Sequence, residues 1–139
     1  MPDDRMLHRC QGHSAKLAQC DHLTYRVWTQ YLLSADDYGV MVDEPAKIRG
    51  DNLALMRETE ADVRRCLDTL LSLGLIVRFE HQGQAYLCSL EWQDYQGIAY
   101  PRNSYLPNPT PEVLQQLSPK TQELFTKKQK AKGVDGYMH

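Results

Sequence analysis

The stretch that decides the fold is residues 59–92, TEADVRRCLDTLLSLGLIVRFEHQGQAYLCSLEW. Its first part predicts a helix, because apolar residues recur there at helical spacing after an N-cap threonine, Thr59. Asp62 lies three residues after that threonine and predicts a capping box. Gly74 predicts the end of the helix, since glycine readily takes the positive φ of a helix C-terminus.

Two β-prone runs follow the glycine and predict a small hairpin. The runs are 75–80 and 84–92, and each alternates its side chains between two faces. The residues between them, His81, Gln82 and Gly83, predict a tight turn. A helix, a glycine and a hairpin in this order are typical of a winged helix-turn-helix domain, whose helix probes nucleic acid and whose hairpin is the wing.

The residues before this stretch predict the other elements of the same domain. A helix over 22–35, with Asp21 as its N-cap, turns one broad apolar side inward. Residues 40–43 predict a first strand, and Pro45 predicts the start of a second helix that residues 50–52 interrupt. The inward residues expected there are Ala46, Ile48, Leu53 and Leu55. The predicted fold class is α+β, a winged helix-turn-helix with a three-helix core, a small antiparallel β-wing and a helical C-terminal extension.

Composition divides the chain into four segments. They are an N-terminal segment (1–20), the winged-helix domain (21–95), a Pro/Tyr-rich connection (96–111) and a helical basic tail (112–139). Two Thr/Ser-Pro pairs, at 110–111 and 118–119, predict tail helices over 112–117 and 120–130. The apolar tail residues would either dock on the core or pair two copies of the chain into a homodimer, and both alternatives stay open. These residues are Leu114, Leu117, Leu124 and Phe125.

The net charge of −2 hides a strong asymmetry along the chain. Residues 21–95 contain seven Lys/Arg and thirteen Asp/Glu, so their net charge is 7 − 13 = −6. Residues 96–139 contain six Lys/Arg and three Asp/Glu, so theirs is +3. Because phosphate neutralisation supplies most of the non-specific affinity for DNA, an acidic module needs its few arginines gathered on one face.

The sequence excludes several classes of protein. No apolar run is long enough to span a bilayer, and residues 1–4 lack the features of a signal peptide, so we expect a cytoplasmic protein without a membrane partner. Cys66 and Cys88 occupy apolar positions, where free thiols are expected rather than disulfides. No phosphate-binding glycine loop, nucleophile elbow or metalloprotease helix is present, so a non-enzymatic protein without a cofactor is predicted.

The N-terminal cysteines and histidines are the residues to weigh as metal ligands. Thiolate and imidazole suit zinc, but their spacing matches no compact Cys-x-x-Cys knuckle. Ordinary thiols and surface histidines are the favoured interpretation, and no metal site is predicted. The residues concerned are His8, Cys10, His13, Cys20 and His22.

Four fragments of the chain carry a resemblance to a known family. They are LTYRVW (23–28), ADDYG (35–39), LLSLGLI (70–76) and YL (86–87). Together they resemble the winged-helix region of phage-encoded replication and replisome-organiser-like proteins, over about residues 14–100. The resemblance implies a bacterial or phage cytoplasmic setting and sequence-directed binding of double-stranded DNA.

If the module binds DNA, the helix that begins at Glu60 would enter the major groove. Arg65 would read guanine there, and Thr69 would contact a base edge or a phosphate. The other predicted contacts are to the DNA backbone from the helical side and to the adjacent groove or backbone from the wing. They are Lys47, Arg49, Arg57 and Arg64 on the helical side and His81, Gln82 and Gln84 on the wing.

A different function uses the same fold. In this alternative the arginines pair with nearby carboxylates, Arg64 with Glu60 or Asp68 and Arg65 with Asp68, and form a solvated helix face. The acidic surface would then bind a host or replisome protein and never touch DNA. Cations gathered on one face favour DNA binding, and cations dispersed among carboxylates favour the protein-interaction module.

Overall fold

The computed structural model describes Arg5, residues 15–52 and residues 59–135, with side chains described for all of these except 49–52 and 129–135. These residues form seven helices and one three-stranded antiparallel sheet, an α+β architecture. The helices are α1 (Ala15–Ala18), α2 (His22–Ser34), α3 (Pro45–Asn52), α4 (Glu60–Ser72), α5 (Trp92–Gln96), α6 (Pro111–Leu114) and α7 (Pro119–Asp135). The strands are β1 (Val40–Val42), β2 (Ile76–His81) and β3 (Gln84–Ser89).

Helices α2, α3 and α4 pack against one another and form the helical core. The predicted caps are confirmed: Asp21 accepts a hydrogen bond from the Thr24 backbone N–H at 2.7 Å, and Thr59 and Asp62 form a reciprocal capping box. Each helix is then held by its buried side, which includes Trp28 on α2 and Leu67 on α4. Burial of such apolar side chains is the main stabilising contribution.

The sheet has the order β1-β3-β2, so the hairpin joins its two adjacent strands β2 and β3. His81 pairs with Gln84, which leaves a two-residue turn of Gln82 and Gly83 at φ of 50° and 81°. Positive φ at both turn residues matches the right-handed twist of the strands. Consecutive residues 87–89 of β3 are all buried, so both faces of the sheet are covered at this end of the strand, and the simple alternation predicted for this run does not hold there.

Strand β3 ends three residues earlier than predicted, and Trp92 begins helix α5 instead. Ser89 is the last residue of β3 that faces a partner on β2, because β2 begins opposite it at Ile76. The Trp92 indole is buried and donates a hydrogen bond to the Asp37 carbonyl at 2.9 Å. The loss of the strand partner and the burial of the indole together favour the turn into a helix.

Two expectations for α3 are wrong. The helix continues through Gly50 to Asn52, although a glycine costs about 1 kcal/mol in a helix interior. Ile48 is fully buried in the core and offsets that cost, since α3 packs on both α2 and α4. Ala46 is exposed rather than inward, and the predicted inward residues Leu53 and Leu55 lie outside the described residues.

The tail docks on the core, as one of the two alternatives predicted. Leu117, Leu124 and Phe125 are buried in the same apolar cluster as α2 and α4, and the Phe125 and Tyr38 rings lie 5.5 Å apart. The first tail helix is shorter than predicted, and α7 is longer, ending at Asp135. None of the helices in the described ranges combines the length and apolarity needed to cross a membrane.

Candidate nucleic-acid interface

Helix α4 buries one face and leaves the other open, as its amphipathic pattern predicts. The inward residues Val63, Cys66, Leu67 and Leu70 are fully buried. The outward face carries Glu60, Ala61, Arg65, Asp68 and Ser72, all exposed. Thr69 is half-buried, and its hydroxyl donates to the Arg65 carbonyl at 3.1 Å. The open face therefore combines one arginine with two carboxylates.

Arg64 belongs to an ion cluster rather than to the open face. Its Nη1 donates to Asp43 Oδ1 at 2.8 Å, while Arg78 Nε on β2 donates to Oδ2 of the same carboxylate at 2.5 Å. The Asp43 side chain is only 4% exposed, so the two guanidinium groups compensate a buried charge. Asp68, the partner predicted from helical spacing, lies farther from Arg64, at 4.0 Å.

Arg65 remains near solvent. Its Nη1 lies 3.3 Å from Asp21 Oδ2, and the two side chains are 54% and 56% exposed. Asp21, rather than the predicted Asp68, is therefore its partner. The pKa of Asp21 is lowered, first by hydrogen bonds from Thr24 and then by Arg65. An ion pair this exposed contributes little to stability, so Arg65 can exchange Asp21 for a phosphate.

Lys47 lies far from Arg65. It is exposed and lines a small cleft of about 290 Å³ beside Ser34, at the C-terminal end of α2, whereas Arg65 contacts the N-cap residue of that helix. A 13-residue helix is about 20 Å long, so the two cations lie beside opposite ends of α2. The Arg49 side chain and Arg57 lie outside the described part of the chain. The described cations of residues 47–65 thus do not share one face.

The β2–β3 hairpin presents polar side chains at its tip. His81 and Gln82 are exposed, whereas Gln84 is half-buried and its Nε2 donates to the Ala85 carbonyl at 3.0 Å. The left-handed turn at Gln82 and Gly83 carries these side chains to the end of the hairpin. His81 and Gln82 are therefore the residues of the hairpin best placed to reach an external ligand.

The N-terminal metal site that was weighed and not predicted gains no ligand set from the described residues. His8, Cys10 and His13 lie outside them, Cys20 is half-buried and His22 is exposed. Burial, and then Asp21, raises the pKa of the Cys20 thiol, and burial raises that of Cys88 far more. Within residues 15–48 and 59–128, no group of three metal-binding side chains comes together.

One polar cluster of the described residues was not singled out from the sequence as a site. Asp37 is buried, and its carboxylate accepts from Arg5 Nη2 at 3.0 Å, from Arg102 Nε at 3.3 Å and from the Arg102 backbone N–H at 2.8 Å. Its neighbour Asp36 accepts from the Ser104 hydroxyl and from two backbone N–H groups. The two adjacent carboxylates of the ADDYG fragment are the signal in the sequence that could have indicated this role.

Substitutions of Arg64 and Arg65 distinguish the arginine of the ion cluster from the arginine at the surface. We expect Arg64→Met to lower the free energy of unfolding by about 1–2 kcal/mol, because it removes a charge-assisted hydrogen bond to buried Asp43. Arg65→Met should lower it by less than about 0.5 kcal/mol. Urea denaturation monitored by circular dichroism measures both, and equal losses would contradict the distinction between the two arginines.

The chain matches no protein-family model, no curated protein and no solved structure.

Proposed function

We propose that this chain is a small, non-enzymatic winged-helix protein of a phage or mobile element that binds double-stranded DNA in replication or its regulation. The observation that supports this best is the order of the elements. One helix, a strand, two helices and a hairpin follow one another, and the first strand joins the hairpin at β3. The family resemblance of the sequence supports the phage, replication and cytoplasmic parts of the proposal.

On this proposal, the open face of α4 enters the major groove. Arg65 is its cation, and Thr69 and Ser72 follow on the next turns. His81 and Gln82 on the wing contact the neighbouring backbone or groove. Arg64 is not proposed to contact DNA, because it neutralises Asp43.

Two substitutions at one ion pair test the proposal. Arg65→Ala should weaken binding to a labelled random-sequence duplex roughly five- to tenfold and lower its log–log salt slope by about one. Asp21→Asn should strengthen binding, because it removes a negative charge and frees Arg65, while asparagine still caps α2. Fluorescence anisotropy at low and near-physiological salt measures both.

Arg26→Ala is the matched control, since Arg26 is an exposed arginine on α2 and its loss changes the net charge equally. Duplex binding should change much less in this variant than in Arg65→Ala. Equal losses in the two variants would contradict a specific role for α4. Absence of duplex binding by the wild type at low salt would reject the proposed function outright.

A protein-interaction module is the second candidate, and a specific observation favours it. The described arginines of α4 and β2, Arg64, Arg65 and Arg78, each lie within ion-pair distance of a carboxylate. This is the dispersal among carboxylates that distinguishes such a module from a DNA-binding one. If it is correct, Arg65→Ala leaves duplex binding undetectable or unchanged, and charge reversal at exposed Asp68 weakens capture of a basic protein partner.

A further inference from the structure

A groove on a different part of the surface combines lysines with an exposed aromatic ring. It has a volume of about 670 Å³ and lies between residues 97–103 of the connection and helix α7. Among the described residues, three lysines line it, Lys120, Lys127 and Lys128, together with one acidic residue, Glu123. Leu124 and Tyr38 give the groove an apolar part.

The charge of this groove is opposite to that of the winged-helix region. Its three lysines and one glutamate sum to 3 − 1 = +2, whereas residues 21–95 carry −6. Lys127 lies 3.6 Å from Glu123, but both side chains are largely exposed, and such a pair is readily exchanged for another anion. The groove therefore offers phosphate groups a locally positive site beside an acidic region of the chain.

Tyr100 is the unusual component. It lines the groove and is nevertheless 92% exposed, so its ring has almost no packing partner within the chain. Lys128 lies nearby and is more constrained, with its Nζ 4.5 Å from the centroid of the Tyr38 ring. An exposed ring beside lysines supplies the two elements of a single-strand binding surface, a stacking platform and phosphate contacts.

We propose that this groove binds single-stranded nucleic acid, with Tyr100 stacking on an unpaired base and Lys120 and Lys127 contacting the backbone. The two lysines are seven residues apart and line the same groove, so they can follow one strand along α7. A duplex keeps its bases stacked on each other and cannot offer one to Tyr100. An acidic peptide would satisfy the lysines but would leave the aromatic ring without a role.

Anisotropy with labelled oligothymidine and oligouridine of about twelve nucleotides tests the proposal. We expect salt-sensitive binding that Tyr100→Ala weakens about tenfold, while Tyr100→Phe retains it because the stacking ring remains. Lys127→Gln should lower the log–log salt slope by about 0.7. The oligonucleotide with the lower dissociation constant indicates whether the groove prefers DNA or RNA.

Tyr105→Ala is the matched control, because Tyr105 is equally exposed in the same connection and does not line the groove. It should leave single-strand binding unchanged. Equal losses in Tyr100→Ala and Tyr105→Ala, or no binding to either oligonucleotide at low salt, would overturn the proposal. Arg65→Ala should affect only duplex binding, so this proposal and the proposed function fail independently.

Discussion

Gly39→Ala is expected to lower the free energy of unfolding by about 3 kcal/mol or more, with a melting temperature roughly 10 °C lower. Gly39 has a φ of +80°, and a Cβ there would lie 2.7 Å from Cγ and Cδ2 of the Trp92 ring. Its carbonyl also accepts hydrogen bonds from the Tyr31 hydroxyl and the Ser89 backbone N–H. The new methyl group must therefore displace a buried indole in addition to straining the backbone. Thermal and urea denaturation measure the loss.

Gly83→Ala separates the backbone strain from the displacement of the Trp92 indole. Gly83 has nearly the same φ, +81°, but a Cβ there meets no atom within 4 Å. Backbone strain alone should therefore cost about 1–2 kcal/mol at the tip of the β2–β3 hairpin. The difference in free energy of unfolding between the two variants measures the packing of Trp92 against Gly39, the residue before β1. Equal destabilisation would show that Trp92 yields without cost and would contradict the prediction.

Asp37→Asn is expected to lower the free energy of unfolding by about 3 kcal/mol at neutral pH, because it leaves the buried Arg5 guanidinium without its carboxylate. The amide keeps the shape of the side chain, so the loss reports mainly the charge. Asp68→Asn is the matched control, since that carboxylate is 57% exposed and also faces two arginines. The free energy of unfolding of Asp68→Asn should fall by less than about 1 kcal/mol.

The same variant should change the pH dependence of stability. Burial opposes ionisation of Asp37, but hydrogen bonds from Arg102 and Arg5 outweigh it and hold the pKa of Asp37 below its ordinary value. Its stabilisation is therefore present above the unfolded pKa, near 3.9, and is lost as the pH falls through the folded pKa.

The adjacent Asp36 has the opposite linkage. Burial raises its pKa, so its charge destabilises the fold above the folded pKa, and protonation relieves that penalty as the pH falls. Urea denaturation between about pH 2.5 and 7 should therefore show a steeper acid loss in the wild type than in Asp37→Asn. Parallel curves would contradict the assignment of this linkage to Asp37.

The local signals in the sequence were sufficient for several of the regular elements. The caps at Asp21 and Thr59, the α4 amphipathic pattern and the hairpin depend on neighbouring residues, and all were predicted. The end of β3 was not, because it depends on where β2 begins and on what buries Trp92. Similarly, α3 continues through Gly50 because distant helices hold Ile48.

The candidate interface was harder to predict because its ion pairs join residues that are far apart in the sequence. Helical spacing offered Asp68 to both Arg64 and Arg65, but their nearest carboxylates are Asp43 and Asp21, 21 and 44 residues away. Tyr100 could be recognised only as part of an aromatic connection. Its position in a lysine-lined groove depends on the docking of α7, which the sequence left open.

The docking of α7 also sets the order in which this protein can complete its fold during synthesis. Leu124 and Phe125 fill the same core as α2, and Arg102 supplies one of the two charges that compensate Asp37. A ribosome-bound chain that has exposed only the helical core and hairpin therefore carries an open apolar face and an incompletely neutralised carboxylate. Such a nascent chain presents a surface suited to chaperones until α7 emerges and closes it.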